Sequence, residues 1–161
     1  MQVDLHIHTC ASDGTWRPAD LIREAKKVGL GAIAITDHDS VNNVREGQSL
    51  AQEAGLQFVP GVAINSTKDG FNFHILGYGI DIDNKILREL LAHNINLMLQ
   101  TDVDSIAQLE KEGWKVSVKE YLNYTYDRTR GGWGSLAYLI DKGLCTDVND
   151  FFKRIFTGEH D

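Results

Sequence analysis

Apolar and polar positions follow two different periods in the first half of the chain. Residues 3–8 alternate as in a short strand, whereas residues 17–30 carry apolar side chains at helical spacing between a proline and a glycine. The continuously apolar stretch that begins at residue 31 and ends at the polar residues "TDHD" is typical of a strand buried on both faces. Residues 41–55 return to helical spacing and predict a second helix.

Two further strands are predicted next along the chain. Residues 56–65 predict the third strand, and residues 71–80 predict the fourth. Lys68-Asp69-Gly70 between them has the composition of a tight turn, so the two strands are expected to pair with each other. The order β-α-β-α-β-β predicts the α/β fold class with right-handed crossovers.

The second half of the chain has a helical pattern. Residues 83–112 carry apolar side chains at helical spacing, and three shorter segments predict further helices. These segments are residues 117–126, 133–143 and 147–156. We therefore predict an α/β part, residues 1–82, followed by a helical module, residues 83–161.

Composition and charge limit the classes of function. The 161 residues are 42% hydrophobic and 24% charged, which is typical of a folded domain with its own core. A formal charge of −7 argues against nucleic acid as a partner, because proteins that bind nucleic acid usually carry a basic surface. The sequence shows neither a secretory leader nor a membrane-spanning stretch, and its two cysteines form no CxxC motif, so we expect a cytoplasmic protein.

Five chemistry-bearing side chains are predicted to lie near one another. His6 and His8 are two residues apart on a strand, so they point to the same face about 7 Å apart at ~3.3 Å per residue. Asp13 follows that strand, His38 follows the second strand, and His74 lies on the fourth. Because active sites of parallel α/β folds gather at the carboxyl ends of strands, these residues are expected to form a site for zinc, manganese or iron.

Four further charged residues are candidates for roles at this site, and three of them have an alternative interpretation. Asp37 and Asp39 flank the second-strand histidine and are predicted to orient metal-binding imidazoles by hydrogen bonds. Capping of the next helix is the alternative for Asp39. Arg128 and Arg130 are candidates for binding an anionic substrate, and an ordinary charged loop is the alternative.

Three segments carry a family resemblance: "DLHIHTCASDG", "AITDHD" and "HILGYGID". They closely resemble the PHP family, named for polymerase and histidinol phosphatase domains, by motif over residues 1–82. The helical segment is more loosely similar to the inserted module of PHP phosphoesterases. The resemblance implies a distorted seven-stranded βα barrel, of which this chain resembles the first half plus the insertion.

The resemblance also implies a chemistry and a set of ligands. It implies phosphoester hydrolysis driven by up to three divalent metals. The acidic balance of the chain and the compact insertion favour a small phosphorylated metabolite or nucleotide over long DNA as substrate. The resemblance implies His6 and His8 at one metal, Asp13 and His38 at another, and His74 at a third. The nuclease-like, polymerase-associated branch of the family is a lesser enzymatic alternative.

Two departures from the family pattern favour a second interpretation. The family carries a bridging glutamate after the third strand, where "PGVAINS" places Ala63, and its late-strand histidine and aspartate ligands have no counterpart here. The alternative to an enzyme is therefore a catalytically incomplete metal-binding or assembly module. A partial barrel also leaves a strand edge open, which predicts a homo-oligomer that covers it.

Overall fold

The computed structural model describes residues 1–156, which form one four-stranded sheet and six α-helices. The strands are β1 (Gln2–Ile7), β2 (Leu30–Ile35), β3 (Gln57–Lys68) and β4 (Phe71–Tyr78). The helices are α1 (Pro18–Lys27), α2 (Val44–Glu53), α3 (Lys85–Lys111), α4 (Val118–Leu122), α5 (Gly134–Asp141) and α6 (Val148–Arg154), and a 3-10 turn spans Arg128–Arg130. These elements confirm the predicted α/β order of the first half and the helical pattern of the second.

The chain divides into two units. Unit 1 consists of residues 1–95 and 128–131, and unit 2 consists of residues 96–127 and those from 132 onward. The division falls within α3, and the predicted domain boundary after residue 82 stays a prediction. The predicted helical module extends to residue 161, and its last five residues lie outside the described part of the chain.

The sheet of unit 1 has the strand order β1-β2-β3-β4 and curls into half of a barrel. The first three strands are parallel, and β3 and β4 form an antiparallel hairpin. Its two-residue turn contains Asp69 and Gly70, both with positive φ angles of 53° and 81°, as a tight hairpin turn requires. The Tyr78 hydroxyl at the end of β4 donates to the Leu5 carbonyl of β1 at 2.8 Å, although the two strands are not neighbours in the sheet. This contact confirms the predicted partial βα barrel.

Helices α1 and α2 begin and end close to the positions that the sequence predicts. Pro18 occupies the first turn of α1, and the helix ends before Gly29, whose φ of 79° terminates it. Val28 continues the apolar pattern of residues 17–30, but it follows the last helical residue and is 62% exposed. Helix α2 begins at Val44, three residues later than its pattern predicts, after Asn43 at the N-cap position.

One face of the unit 1 sheet packs against α1, α2 and the start of α3. Strand β2 is central to this core, since Ile33 and Ile35 on one face and Ala34 on the other are fully buried, as expected for a strand covered on both faces. The remaining buried members of the core come from the helices, from β3 and from the segments that precede α2 and β3: Leu21, Ile22, Ala25, Val41, Val44, Ala51, Leu56, Val62 and Leu91. This core holds β2 in place, and the candidate metal ligand His38 follows the end of β2.

Unit 2 has a separate core built from helices. Its buried members are Ile106, Leu109, Val116, Tyr121, Leu136, Tyr138, Leu139 and Cys145. Helix α4 ends at Leu122, earlier than predicted, whereas α6 begins as its sequence suggests, because Asp147 accepts a hydrogen bond from the Asp150 amide at 2.9 Å. None of the helices in residues 1–156 combines the length and the apolar character needed to cross a bilayer.

The outer strands of the unit 1 sheet expose apolar side chains at alternate positions. On β4, Phe71, Phe73 and Ile75 share one face and are exposed by 76%, 41% and 51%. Open strand edges with apolar faces promote pairing with another chain. We expect the protein to self-associate through this edge, and the double variant Phe73→Lys, Ile75→Lys to sediment as a monomer. A monomeric wild-type protein at high concentration in analytical ultracentrifugation contradicts this prediction.

Candidate metal centre

Four imidazole rings form a continuous row along one side of the unit 1 sheet. The ring centroids of His6 and His8 are 5.1 Å apart, those of His8 and His38 are 4.4 Å apart, and those of His38 and His74 are 4.4 Å apart. The two central rings are half-buried, whereas those at the ends of the row are exposed. The structure thus brings together all four histidines that the sequence places on or next to strands.

The curled sheet explains why these rings meet. His8 is the first residue beyond β1, and His38 follows β2 on the same side of the parallel sheet. Beyond the end of β2 the chain makes one more parallel bridge, between His38 and Ala63 of β3. His74 lies opposite Asn65 in the hairpin, so β4 places its ring on the face that Ala63 and Asn65 share.

Asp13 completes a cluster with the two central rings. One ligand atom from each of His8, Asp13 and His38 can be chosen so that all three lie within 4.8 Å of one another. The Asp13 carboxylate is 2.8 Å from His8 Nδ1 through Oδ1 and 4.0 Å from His38 Nε2 through Oδ2. The hydrogen bond from His8 lowers the pKa of Asp13 to about 2, so this carboxyl group is ionised at neutral pH.

The ionised Asp13 fixes the tautomer of neutral His8. A carboxylate can only accept hydrogen bonds, so His8 Nδ1 carries the proton and Nε2 keeps its lone pair. Nε2 of His8 is buried and has no hydrogen-bond partner, and the same is true of Nδ1 of His38. Buried nitrogens of this kind are costly unless a ligand satisfies them. With a carboxylate beside the two rings, these nitrogens suit a borderline divalent metal ion.

The two central histidines differ in acidity. The hydrogen bond with Asp13 raises the pKa of His8 above its ordinary value, against the opposing effect of burial, and the charges of Asp13 and Asp37 add to it. Burial lowers the pKa of His38, and the positive charge of protonated His8 lowers it further. Protons therefore occupy His8 before His38 as pH falls.

This difference predicts two separate titrations in the metal-free protein. The His8 ring is expected to titrate above pH 6.5 and the His38 ring below it in a histidine NMR experiment. Asp13→Asn removes the anionic acceptor, so the His8 midpoint is expected to fall. Metal binding requires unprotonated nitrogen, so affinity should begin to weaken already above pH 6.5 on acidification. Equal midpoints for His8 in the wild type and in Asp13→Asn contradict the assigned hydrogen bond.

Asp37 holds the loop that carries Asp13. Its fully buried carboxylate accepts hydrogen bonds from the Thr9 amide, the Thr9 hydroxyl and the Ser12 hydroxyl, each at 2.6 Å. These donors are a backbone amide and two hydroxyls, so Asp37 orders the loop after β1 instead of contacting an imidazole directly. The Ser12 hydroxyl also lies 3.2 Å from Asp13 Oδ1, which links the buried carboxylate to the cluster.

Asp39 connects the segment after β2 to β3 and α3. Its Oδ1 accepts from the Asn65 amide at 3.2 Å and from the Asn94 side chain at 2.7 Å, and Asn94 also donates to the Asn65 carbonyl at 3.0 Å. Its Oδ2 is buried without a partner. The alternative of Asp39 as a helix cap is wrong, because the N-cap position of α2 belongs to Asn43.

Ala63 lies beside the row of rings and is completely buried. Its carbonyl accepts the Asp39 amide at 2.8 Å, and its amide donates to the Asp37 carbonyl at 3.1 Å. Its methyl group has no donor atom, so it contributes no ligand at this position. The sequence-based assignment of position 63 to a missing bridging carboxylate stays a prediction.

The two candidate arginines occupy one 3-10 turn that belongs to unit 1. The Arg128 guanidinium donates through Nη2 to the Ser12 carbonyl at 2.9 Å and to the Ala11 carbonyl at 3.3 Å. Arg130 lies two residues further in the same turn and is exposed. Their role in binding an anionic substrate stays a prediction.

Sequence reasoning missed the polar residues that support the cluster. Thr9 and Ser12 are buried partners of Asp37, and Asn94 is the partner of Asp39. A signal was available for Asn94, since it follows the buried Leu91 by three residues and so falls on the inward face of an otherwise apolar helix stripe. Thr9 and Ser12 have no comparable signal in the sequence apart from being next to the predicted ligands His8 and Asp13.

Comparison with known proteins places this geometry in a family. The family model described as "PHP domain" matches residues 4–149. The 5'-3' exoribonuclease Rnm of Salmonella typhimurium is 37% identical over 157 residues, covering 94% of this chain and 52% of that protein. The 3',5'-nucleoside bisphosphate phosphatase of Chromobacterium violaceum is 34% identical over 156 residues, covering 96% of this chain and 55% of that protein.

A solved structure shows the same architecture. The structure of an amidohydrolase from Chromobacterium violaceum, with bound sulfate and no metal, superimposes with a TM-score of 0.80 at 25% identity. The match covers 99% of this chain and 56% of that one, so the chain spans about half the length of the relatives it matches. The family model covers most of the chain, including every residue of the histidine row, and the chain belongs to the PHP domain family.

Proposed function

We propose that this chain forms the metal-binding part of a metal-dependent phosphoesterase that hydrolyses the phosphate ester of a nucleotide-sized substrate. One observation carries the proposal. Two buried imidazole nitrogens, Nε2 of His8 and Nδ1 of His38, have no hydrogen-bond partner, and the other nitrogen of each ring lies 2.8 Å and 4.0 Å, respectively, from the ionised Asp13 carboxylate. Such an arrangement is costly in a metal-free protein and becomes favourable when divalent cations satisfy the two nitrogens and the nearby carboxylate balances their charge.

The proposed ligands are the cluster and the two outer rings of the row. His8, Asp13 and His38 are the inner ligands, and His6 and His74 extend the site at its two ends. Zinc, manganese and iron suit this nitrogen and oxygen donor set, and up to three ions are proposed for a complete site. A bound ion supplies Lewis-acid polarisation of a phosphoryl oxygen.

The chain's own residues perform the remaining tasks. The Asp13 carboxylate keeps the proton of His8 on Nδ1 and leaves Nε2 available for an electrophile. Asp37 and Asp39 hold the segments on either side of His38, which lies between them in sequence. These contacts keep the ligand atoms close together before an ion binds, which lowers the entropy lost on binding.

A nucleotide phosphate is the substrate class that the relatives support. One relative is named as a 3',5'-nucleoside bisphosphate phosphatase and another as a 5'-3' exoribonuclease, and the aligned solved structure contains sulfate, an anion with the shape of phosphate. A 5'-phosphorylated RNA therefore joins the small nucleotides as a candidate, despite the acidic overall charge. Arg130, exposed on the 3-10 turn, is the proposed contact for a phosphate group.

A catalytically incomplete metal-binding module is the second candidate, and Ala63 favours it. This residue is fully buried beside His38 and offers only a methyl group to the site. A module of this kind binds metal through the inner cluster without turning over a phosphate ester. The two candidates therefore make the same prediction for metal content and opposite predictions for hydrolysis.

The experiment measures metal content and phosphate ester hydrolysis on the same purified protein. We expect zinc or manganese to remain bound after gel filtration, as measured by elemental analysis, and His8→Ala to lower the metal content strongly. His93→Ala is the matched control, since that histidine is exposed on α3 and lies outside the row. Hydrolysis of a nucleoside 3',5'-bisphosphate and of a 5'-phosphorylated oligoribonucleotide then separates the enzyme from the module. Equal metal content in the wild type and in His8→Ala contradicts the proposed site.

A further inference from the structure

The 3-10 turn Arg128–Arg130 is hydrogen-bonded to the loop that carries Asp13. Nη2 of Arg128 donates to two consecutive carbonyl groups, those of Ala11 and Ser12, immediately before Asp13 in the chain. Consecutive carbonyls that point at one guanidinium fix the direction of the chain that follows them. Both carbonyls precede a carboxylate whose two oxygens must reach two different imidazoles.

The residue that closes the turn packs against the same loop. A Cβ atom added to Gly131 would lie 3.0 Å from the Asp13 carbonyl oxygen and 2.9 Å from Thr15 Cγ2. Real Cβ atoms essentially never show a contact as short as 2.9 Å, and a 3.0 Å contact is tighter than nine in ten of theirs, so a side chain at this position would push the two segments apart. Gly131 also has a φ of 74°, which favours glycine on conformational grounds.

The loop has no regular secondary structure of its own to hold it. Asp37 binds it from the buried side through Thr9 and Ser12, and the Arg128 turn contacts its backbone carbonyls. Within the loop, the Gly14 amide donates to the Thr9 carbonyl at 3.0 Å, which closes a tight turn. The position of Asp13 therefore depends on contacts from two segments that are far apart in sequence.

We infer that Arg128 is a positioning residue that, together with Gly131, holds Asp13 where it can share a metal ion with His8 and His38. The guanidinium acts on Asp13 through the backbone of Ala11 and Ser12. This inference rests on the proposed metal site, and it assigns Arg128 a task other than substrate binding. A charged donor to carbonyl oxygens makes a stronger hydrogen bond than a neutral one, which suits this task.

The first test compares arginine variants at two positions. Arg128→Ala is expected to lower zinc affinity about tenfold, the effect typical of removing an outer support of a metal ligand, as measured by competition with a chromogenic chelator. In the metal-free protein, the Gly14 amide is expected to exchange hydrogen faster in this variant. Arg128→Lys should show a smaller loss, and low concentrations of guanidinium ion should restore affinity to Arg128→Ala, while ammonium ion should not. Arg23→Ala removes an exposed arginine of α1 and is expected to change neither quantity.

The second test uses a matched pair of glycines. Gly131→Ala introduces both backbone strain and a clash with the loop, whereas Gly29→Ala introduces strain at a φ of 79° with nothing within 4 Å of the new methyl group. We expect Gly131→Ala and Gly29→Ala to lose similar amounts of thermal stability. Only Gly131→Ala is expected to lose zinc affinity. Equal zinc affinity in the two glycine variants overturns the inference, as does unchanged affinity and amide exchange in Arg128→Ala. Absence of zinc binding in the wild-type protein would instead refute the proposed metal site. Faster exchange of the Gly14 amide in Arg128→Ala would then still support the role of Arg128 in positioning the loop.

Discussion

Asp37→Ala is expected to lower zinc affinity by about a hundredfold, at the upper end for groups that support metal ligands, and to destabilise the protein by about 3 kcal/mol. The variant leaves the Thr9 amide, the Thr9 hydroxyl and the Ser12 hydroxyl without their acceptor inside the protein. Because this region is fully buried, water replaces the carboxylate only at a cost. Urea denaturation of the metal-free protein measures the stability, and chelator competition measures the affinity.

Two further variants make this prediction specific. Asp37→Asn keeps the shape of the side chain but replaces one acceptor oxygen with an NH₂ group. At least one of the Thr9 and Ser12 donors then faces another donor, so we expect losses of zinc affinity and stability that are smaller than those of Asp37→Ala. Asp83→Ala removes an exposed carboxylate that pairs with Arg45 and should leave zinc affinity unchanged. If Asp37→Ala retains wild-type zinc affinity, the loop does not depend on this carboxylate.

Ala63→Glu is expected to tighten metal binding by at least about tenfold and to raise the number of ions bound per chain. Position 63 faces the side of the hairpin on which His74 lies, and its backbone bridges to His38. The row of neutral imidazoles supplies nitrogen ligands but no negative charge there, and a carboxylate supplies both charge and two oxygens. In a protein that also carries late-strand ligands, phosphoesterase activity should rise by orders of magnitude, because a bridging carboxylate sets the distance between two ions.

The measurement for Ala63→Glu is metal stoichiometry together with hydrolysis of p-nitrophenyl phosphate. Ala63→Gln is the matched control, since it adds the same volume to a fully buried position without the charge. Stability should fall in both variants because the site must accommodate a larger side chain. If the two variants bind the same amount of metal as the wild type, position 63 does not face the ions and the assignment of this strand is wrong.

Much of the fold could be predicted because its signals are local. The apolar stretch that became β2, the Lys68-Asp69-Gly70 turn and the helical period of α3 each depend on neighbouring residues. The meeting of His8 and His38 also followed from a local rule, since they follow adjacent parallel strands, whose carboxyl ends lie at one edge of the sheet. His6 points to the same face as His8 because it is two residues away on the strand, so the proximity of these three rings could be inferred before any coordinates were known. The position of His74 depends on the antiparallel pairing of β4 with β3.

The remaining features depend on contacts between distant segments. That Asp37 binds the Thr9–Ser12 loop instead of an imidazole depends on how β1 and β2 are aligned, and β1 has register irregularities that no periodicity reveals. The length of β3, which continues to Lys68, depends on pairing with β4 over the whole hairpin. The partnership of Asp39 with Asn94 joins residues 55 positions apart and has no local pattern.

The two supports of the Asp13 loop differ in when they become available during synthesis. Asp37 is separated from Ser12 by 25 positions, whereas Arg128 is separated from it by 116. A ribosome-bound chain that has exposed β1, β2 and the hairpin can therefore form the first support long before the second. Closing the longer loop also costs more chain entropy. A nascent chain should accordingly hold zinc weakly at first and tightly only after residue 131 has left the exit tunnel, so release of the late segment sets the time at which the centre can load.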